Sequence, residues 1–418
     1  MNLDINKVKA MISLFIKKLS GMYLLQISNY IFPLILIPIL IKKLSLGGYG
    51  DIIYATTLVQ IFGMVIDFGF TYTCPVETTK LQNKKELLGA YYLRITLLKL
   101  AIYILSMTIL MLIMDILKIN DTTVVLISII LLGNVFFPIW LFQGLSLFNQ
   151  VSIIQISTKV IFLISLILLI YLLNIKNNLL IIFLMSGNLL VSLLLSIKKI
   201  SRLISFKDLG QLSFKACYQD LKIASNVFIS VLGSIGYNSL IPIILGKYLG
   251  SSSLAVYSIL QKMTAACQSM ILPISQFMLT NISISINNKT SFKQIITKSI
   301  KLHLSFSVLG AIAYITLGQF VSNLLGYKAP LDLILISSLI LIFSSLNNVL
   351  GIQTMIPLKK TNILRVINLF SGIFTALISV YIINTMGVFG GVFLNLLGEA
   401  LVFTSLTYWH IKNINIYE

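Results

Sequence analysis

The sequence predicts an all-α integral membrane protein with about 12 transmembrane helices arranged as two halves of six. Three observations carry this. Of the 418 residues, 57% are hydrophobic and only 10% charged, with a mean hydropathy of +0.98. A soluble chain of this length could not cover its surface with so few polar side chains. Apolar stretches recur along the whole chain, each near the roughly 20 residues that one spanning helix needs. Lysines and arginines also concentrate in every second connection, which is the positive-inside pattern.

The elements follow in order. Residues 1–19 carry Lys7, Lys9, Lys17 and Lys18 and show no small-residue cleavage site, so a cleaved signal is not expected. Ile5, Val8, Ile12, Phe15 and Leu19 recur at three- and four-residue steps, which suits an amphipathic helix on an anionic membrane surface. Hydropathy breaks then place spans near 21–41, 52–71, 91–115, 122–147, 150–173, 179–197, 221–245, 254–280, 302–325, 331–357, 363–384 and 388–410. With the N-terminus inside, the inward connections hold clusters such as Lys80, Lys84, Lys85 and Lys289, Lys293, Lys298, Lys301. The outward ones hold few: Lys42, Lys43, Lys118, Lys176, Lys247 and Lys328. Both termini are therefore expected in the cytoplasm. The net charge of +19 is explained by an anionic leaflet, without nucleic acid.

The basic stretch 201–220 divides the chain into an N-terminal lobe, 1–200, and a C-terminal lobe, 221–418. Six spans is an even number, so both halves start on the same side and any repeat is parallel. Such a repeat is visible. IPILIKKLSLGGYGDIIYATTL (37–58) aligns with IPIILGKYLGSSSLAVYSILQK (241–262), matching Pro38 to Pro242 and Lys43 to Lys247. Pro33 and Pro38 are expected to interrupt the first span, and Pro242 the seventh; proline frees a carbonyl and lets a span bend. The three cysteines, Cys74, Cys217 and Cys267, form no CxxC motif and read as packing residues.

Catalytic motifs are missing. Gly246-Lys247 is followed by tyrosine without the earlier glycine of a phosphate-binding loop, and there is no HExxH and no metal-ligand cluster. No catalytic residue, metal or cofactor is expected. His303 and His410 fall at cytoplasmic ends of spans, where anchoring at the interface accounts for them. The informative groups are the ionisable residues inside spans: Arg94, Lys99, Lys159, Lys262, Asp67 and Glu399. Each costs roughly 2.5–3.5 kcal/mol at a helix centre, so they should pair, snorkel or face a polar cavity. Four cations against two anions give a cationic interior, which suits an anionic, phosphate-bearing substrate.

Four segments carry a family resemblance: NYIFPLILIPILIKKLSLGGYG (29–50), VIDFGF (65–70), FFPIWLFQGLSLFNQ (136–150) and LPISQFM (272–278). The chain resembles the polysaccharide repeat-unit (O-antigen, Wzx-like) flippases of the multidrug/oligosaccharidyl-lipid/polysaccharide exporter superfamily. Ser146 stands where that family often has an acidic residue after the glutamine–glycine pair, so no role for such an acid is carried over.

The resemblance implies two six-helix lobes around a central cavity with alternating access, in a bacterial inner membrane. It implies a substrate too: an undecaprenyl-diphosphate-linked oligosaccharide, moved to the periplasmic leaflet for O-antigen or capsule assembly. Functional association with a polysaccharide polymerase or ligase follows from such a product. By position Lys262 and Lys159 are first for diphosphate contact, then Lys99 and Arg94, with Asn29 weaker. Asp67 and Glu399 are candidates for ion pairing or for proton or sodium coupling. Competing readings are another small-molecule exporter of the superfamily, and a polymerase or intramembrane glycosyltransferase. The short outward connections disfavour the enzymes, and the basic interior disfavours an exporter of cationic drugs.

Overall fold

The computed structural model describes residues 5–171, 194, 196–197, 199–205, 213–285 and 289–413, and every described residue outside the turns is helical. The side chains of residues 5–31 lie outside that description, and with them the amphipathic pattern of 1–19 and the Asn29 amide. Most of the expected sixth span and part of the 201–220 connection lie outside it as well.

The helices are α1 (Ile5–Asp67), α2 (Phe70–Leu81), α3 (Lys85–Leu117), α4 (Asp121–Phe136), α5 (Ile139–Gly144) and α6 (Phe148–Tyr171). They continue as α7 (Phe214–Asn238), α8 (Leu240–Leu249), α9 (Ser251–Ser285), α10 (Lys289–Leu324), α11 (Leu331–Asn347) and α12 (Thr361–Lys412). A π-helical stretch, Asn348–Met355, extends α11. The longest two are each broken. Ser45 (φ 72°, ψ 170°) divides α1, and Gly387 (φ 62°, ψ −139°) divides α12. Seven helical segments among the described residues are long and apolar enough to cross a membrane. Two of these carry the breaks or end beside them. Where the chain is described the expected spans fall largely on helical segments, with breaks inside three of them at Phe68–Gly69, Phe137–Pro138 and Ser239, and the protein is an all-α integral membrane protein.

The breaks have local causes. At Ser45 the side-chain oxygen accepts from the Gly48 N–H at 3.4 Å, an N-cap for the second half of α1. Pro33 and Pro38 do not interrupt the helix as expected; helical backbone runs through both. Pro242 follows a break at Ser239 and sits in the first turn of α8, where a missing N–H leaves no intrahelical bond unmade. Pro138 does separate α4 from α5.

The chain divides into two compact units, residues 1–32 with 58–228, and residues 33–57 with 229–418. Residues 33–57, placed by sequence in the N-terminal half, thus pack with the C-terminal helices. In the first unit, the family-like stretch Phe137–Phe142 forms the core with Phe70, Cys74, Tyr91 and Ile95. Trp140 is 2% exposed and meets the Tyr91 ring edge-on at 5.6 Å. Gly144 lies so close to α2 that a Cβ would come within 2.7 Å of the Pro75 carbonyl.

In the second unit the two repeated segments pack on one another. A Cβ on Gly50 would fall 1.8 Å from the carbonyl oxygen of Ser251, and one on Gly246 2.5 Å from the Tyr54 ring. Ser251 donates a hydrogen bond to the Asp51 carboxylate. The small residues of LSLGGYG and LGKYLGSSS are therefore what lets these helices approach.

Candidate functional site

The ionisable residues inside the spans fall into two groups, one in each unit. In the first unit, α1 ends at Asp67 and the chain turns through Phe68 (φ 48°) and Gly69 (φ 86°). Only glycine takes the second position without strain, and a Cβ there would also press within 2.8 Å of the Ala224 carbonyl. The turn aims Asp67 at the start of α2. Thr71 donates to it through its N–H (3.1 Å) and its hydroxyl (2.7 Å). Lys99, on α3, reaches the same carboxylate at 2.8 Å and is 4% exposed. Asp67 is thus held by three donors, and Lys99 is neutralised by it.

Arg94, one turn earlier on α3, pairs with Asp220 on α7 at 2.6 Å, and its guanidinium lies 5.2 Å from the Tyr91 ring centroid. Burial pushes the Asp220 carboxyl above its ordinary range, and the Arg94 guanidinium pulls it back. Lys159, on α6, is half-buried with its ammonium 5.9 Å from the Phe32 ring centroid.

In the second unit, Lys262 on α9 is half-buried, and its ammonium lies 6.0 Å from the Tyr49 ring centroid. Tyr49 is 2% exposed. Among the described residues no carboxylate lies in ion-pair contact with Lys262. Glu399, on the second half of α12, accepts a hydrogen bond from Asn347 of α11 at 2.7 Å. The sequence-predicted cations are therefore of two kinds. Arg94 and Lys99 are matched by acids. Lys159 and Lys262 lie against aromatic rings, where the cation is attracted by the ring face.

Two polar features were not anticipated. His303 is fully buried among neighbouring helices rather than exposed as an interfacial anchor would be. Its Nδ1 faces the Ser299 carbonyl at 2.9 Å, so that nitrogen carries the proton, while Nε2 accepts from Ser275 (2.9 Å) and Gln353 (3.0 Å). His410 is likewise buried, with Nε2 2.9 Å from the Leu350 carbonyl. Both correct the expectation of interfacial anchoring. α10 and α12 each continue past the imidazole, so a position near a hydropathy edge is enclosed by neighbouring helices. The serine and glutamine partners carry no charge, which is why sequence patterning did not mark them.

The comparisons with known proteins agree with this architecture. The chain is 24% identical over 406 residues to an Escherichia coli (strain K12) protein named "Putative O-antigen transporter", covering 93% of this chain and 94% of that one. A Shigella dysenteriae protein of the same name is 23% identical over 277 residues, covering 64% and 67%. Among solved structures, an inward-facing multidrug resistance MATE family transporter of the MOP superfamily matches with a TM-score of 0.70 at 12% identity, over 95% of this chain and 98% of that chain. A Vibrio cholerae MATE transporter matches with a TM-score of 0.62 at 11% identity, over 98% and 99%. The fold is that of these transporters. The polysaccharide biosynthesis protein model matches residues 15–279, more than half of the sequence, and the chain belongs to that family.

Proposed function

We propose that this protein is a flippase that moves an undecaprenyl-diphosphate-linked oligosaccharide from the cytoplasmic to the periplasmic leaflet by alternating access. The product would feed O-antigen or capsule assembly, with a polysaccharide polymerase or ligase acting next. The family and the transporter fold support transport rather than catalysis, and the full-length similarity to proteins named as O-antigen transporters supports the substrate class.

The observation that carries the reading is Lys262. Lys262 is half-buried on α9, within an expected span, and its ammonium, against an aromatic ring and with no carboxylate contact among the described residues, has its charge left for a ligand. In low dielectric such a cation attracts phosphate oxygens strongly. Lys159 is the second cation assigned to the diphosphate. Arg94 and Lys99 are assigned to holding helices, because acids already neutralise them. A substrate carrying one or two negative charges would also gain about 2.3 kcal/mol per charge per 100 mV on moving out of a negative interior.

The reading is tested with the purified protein in liposomes and a lipid-diphosphate oligosaccharide as probe. Wild type should accelerate transfer between leaflets. Lys159→Ala and Lys262→Ala should lower the rate while leaving the folded protein intact. Equal rates for wild type and the double variant would contradict the role given to these cations.

A further inference from the structure

The helix α10 has two opposed faces. Phe292, Ile296, Ser299, His303 and Ser307 are buried. Lys293, Lys298, Lys301, Leu304, Val308 and Ile312 are exposed. Helical periodicity puts Leu304, Val308 and Ile312 on the same side of α10 as Lys301. A lysine cluster therefore runs directly into an apolar stripe on one outward face.

The length of the helix sets the depth of each part. α10 has 36 residues, about 54 Å of helix, against a hydrocarbon core of about 30 Å. Counted back from Leu324, the roughly 20 residues that cross such a core end near Ser305. The three lysines then fall at the depth of lipid headgroups, and Leu304, Val308 and Ile312 at or below the edge of the acyl chains.

Nothing on the helix answers the charge. α10 contains no aspartate or glutamate, and among the described residues none of the three lysines is in ion-pair contact. Thr297 and Ser305 donate their hydroxyls to the carbonyls of Lys293 and Lys301 at 2.9 and 2.8 Å. The ammonium groups and the Gln294 amide are left as the donors of this face. An open groove of about 600 Å³ lies along it, lined by Lys293, Gln294, Lys298, Lys301 and Leu302 among others.

Basic pockets at headgroup depth hold the phosphates of anionic lipids. We propose that this face of α10 binds one anionic phospholipid, with its phosphate among Lys293, Lys298 and Lys301 and its acyl chains along Leu304, Val308 and Ile312. The leaflet is the one at the lysine end of α10, expected to be the cytoplasmic one. Among its described lining the groove has no aromatic ring or carboxylate with which to read a sugar, which favours an ordinary phospholipid over a glycan-bearing lipid. The site does not depend on the transport reading.

The test titrates the full-length protein, purified in a neutral detergent, with phosphatidylglycerol and counts bound lipid by native mass spectrometry. Phosphatidylglycerol should bind saturably, and phosphatidylcholine with the same chains about tenfold more weakly or worse. Lys293→Gln, Lys298→Gln and Lys301→Gln together should weaken phosphatidylglycerol binding about tenfold or more. Lys84→Gln, Lys85→Gln and Lys360→Gln together remove the same charge from other exposed positions and should leave the affinity unchanged. If the first triple variant does not fold, Lys301→Gln compared with Lys360→Gln decides. Equal losses in the two sets would reduce the effect to general charge and overturn the site. Equal binding of phosphatidylcholine would overturn it too, as would displacement by glycerol phosphate as effective as that by the whole lipid. Displacement by undecaprenyl diphosphate at far lower concentration would overturn it in favour of a substrate site.

Discussion

Lys99 lies 2.8 Å from the carboxylate of Asp67, joining α3 to the end of α1, and the same carboxylate caps the first turn of α2. Neutralising one partner leaves a buried charge unmatched, and breaking such a pair costs about 3–5 kcal/mol. Lys99→Met or Asp67→Asn alone should therefore lower the unfolding temperature of the purified protein sharply. The double variant should recover much of the loss. A double variant no more stable than either single one would show that the two residues are not coupled.

The contact between the repeated segments sets a second expectation. Gly50→Ala would place a methyl group against the Ser251 backbone, which cannot yield as a flexible side chain could. It should abolish or strongly reduce folded protein in the membrane. Gly310→Ala, in α10 with nothing near its Cβ position, should be neutral or stabilising by about 0.5–1 kcal/mol. Folded yield by size-exclusion chromatography separates the two.

Trp140 anchors the core of the first unit against Tyr91 and Tyr92. Trp140→Ala should cost about 3–5 kcal/mol through loss of packing, and Trp140→Phe distinctly less. Thermal unfolding of the two variants checks the order. Equal effects would mean that the indole fills no specific space.

Lys262 and Tyr49 should separate charge from shape in transport. Lys262→Ala should lower the initial rate roughly tenfold or more, the loss expected for a charge-assisted hydrogen bond worth about 1.5–3 kcal/mol. Lys262→Arg should keep a substantial part of the rate, since the positive charge remains. Transport assays at matched protein levels give the comparison.

Much of this was legible in the sequence. The span windows followed from hydropathy because a spanning helix must be apolar over its whole length. LSLGGYG marked the turn at Ser45, and FFPIWLFQG marked what became the core around Trp140. The pairing of Asp67 with Lys99 and of Arg94 with Asp220 was not legible, because those partners lie on different helices far apart in the chain. The membership of residues 33–57 in the second unit was hidden for a related reason. It depends on glycine contacts between the repeats, and a glycine in sequence does not say what approaches it.

The most direct test of the central claim is the sidedness of the lipid-linked repeat unit in cells lacking this protein, with and without a rescuing copy. The flippase account predicts that the unit accumulates on the cytoplasmic leaflet and that surface polysaccharide returns on rescue. A unit that reaches the outer leaflet normally in the deletion, yet is not polymerised, would contradict it.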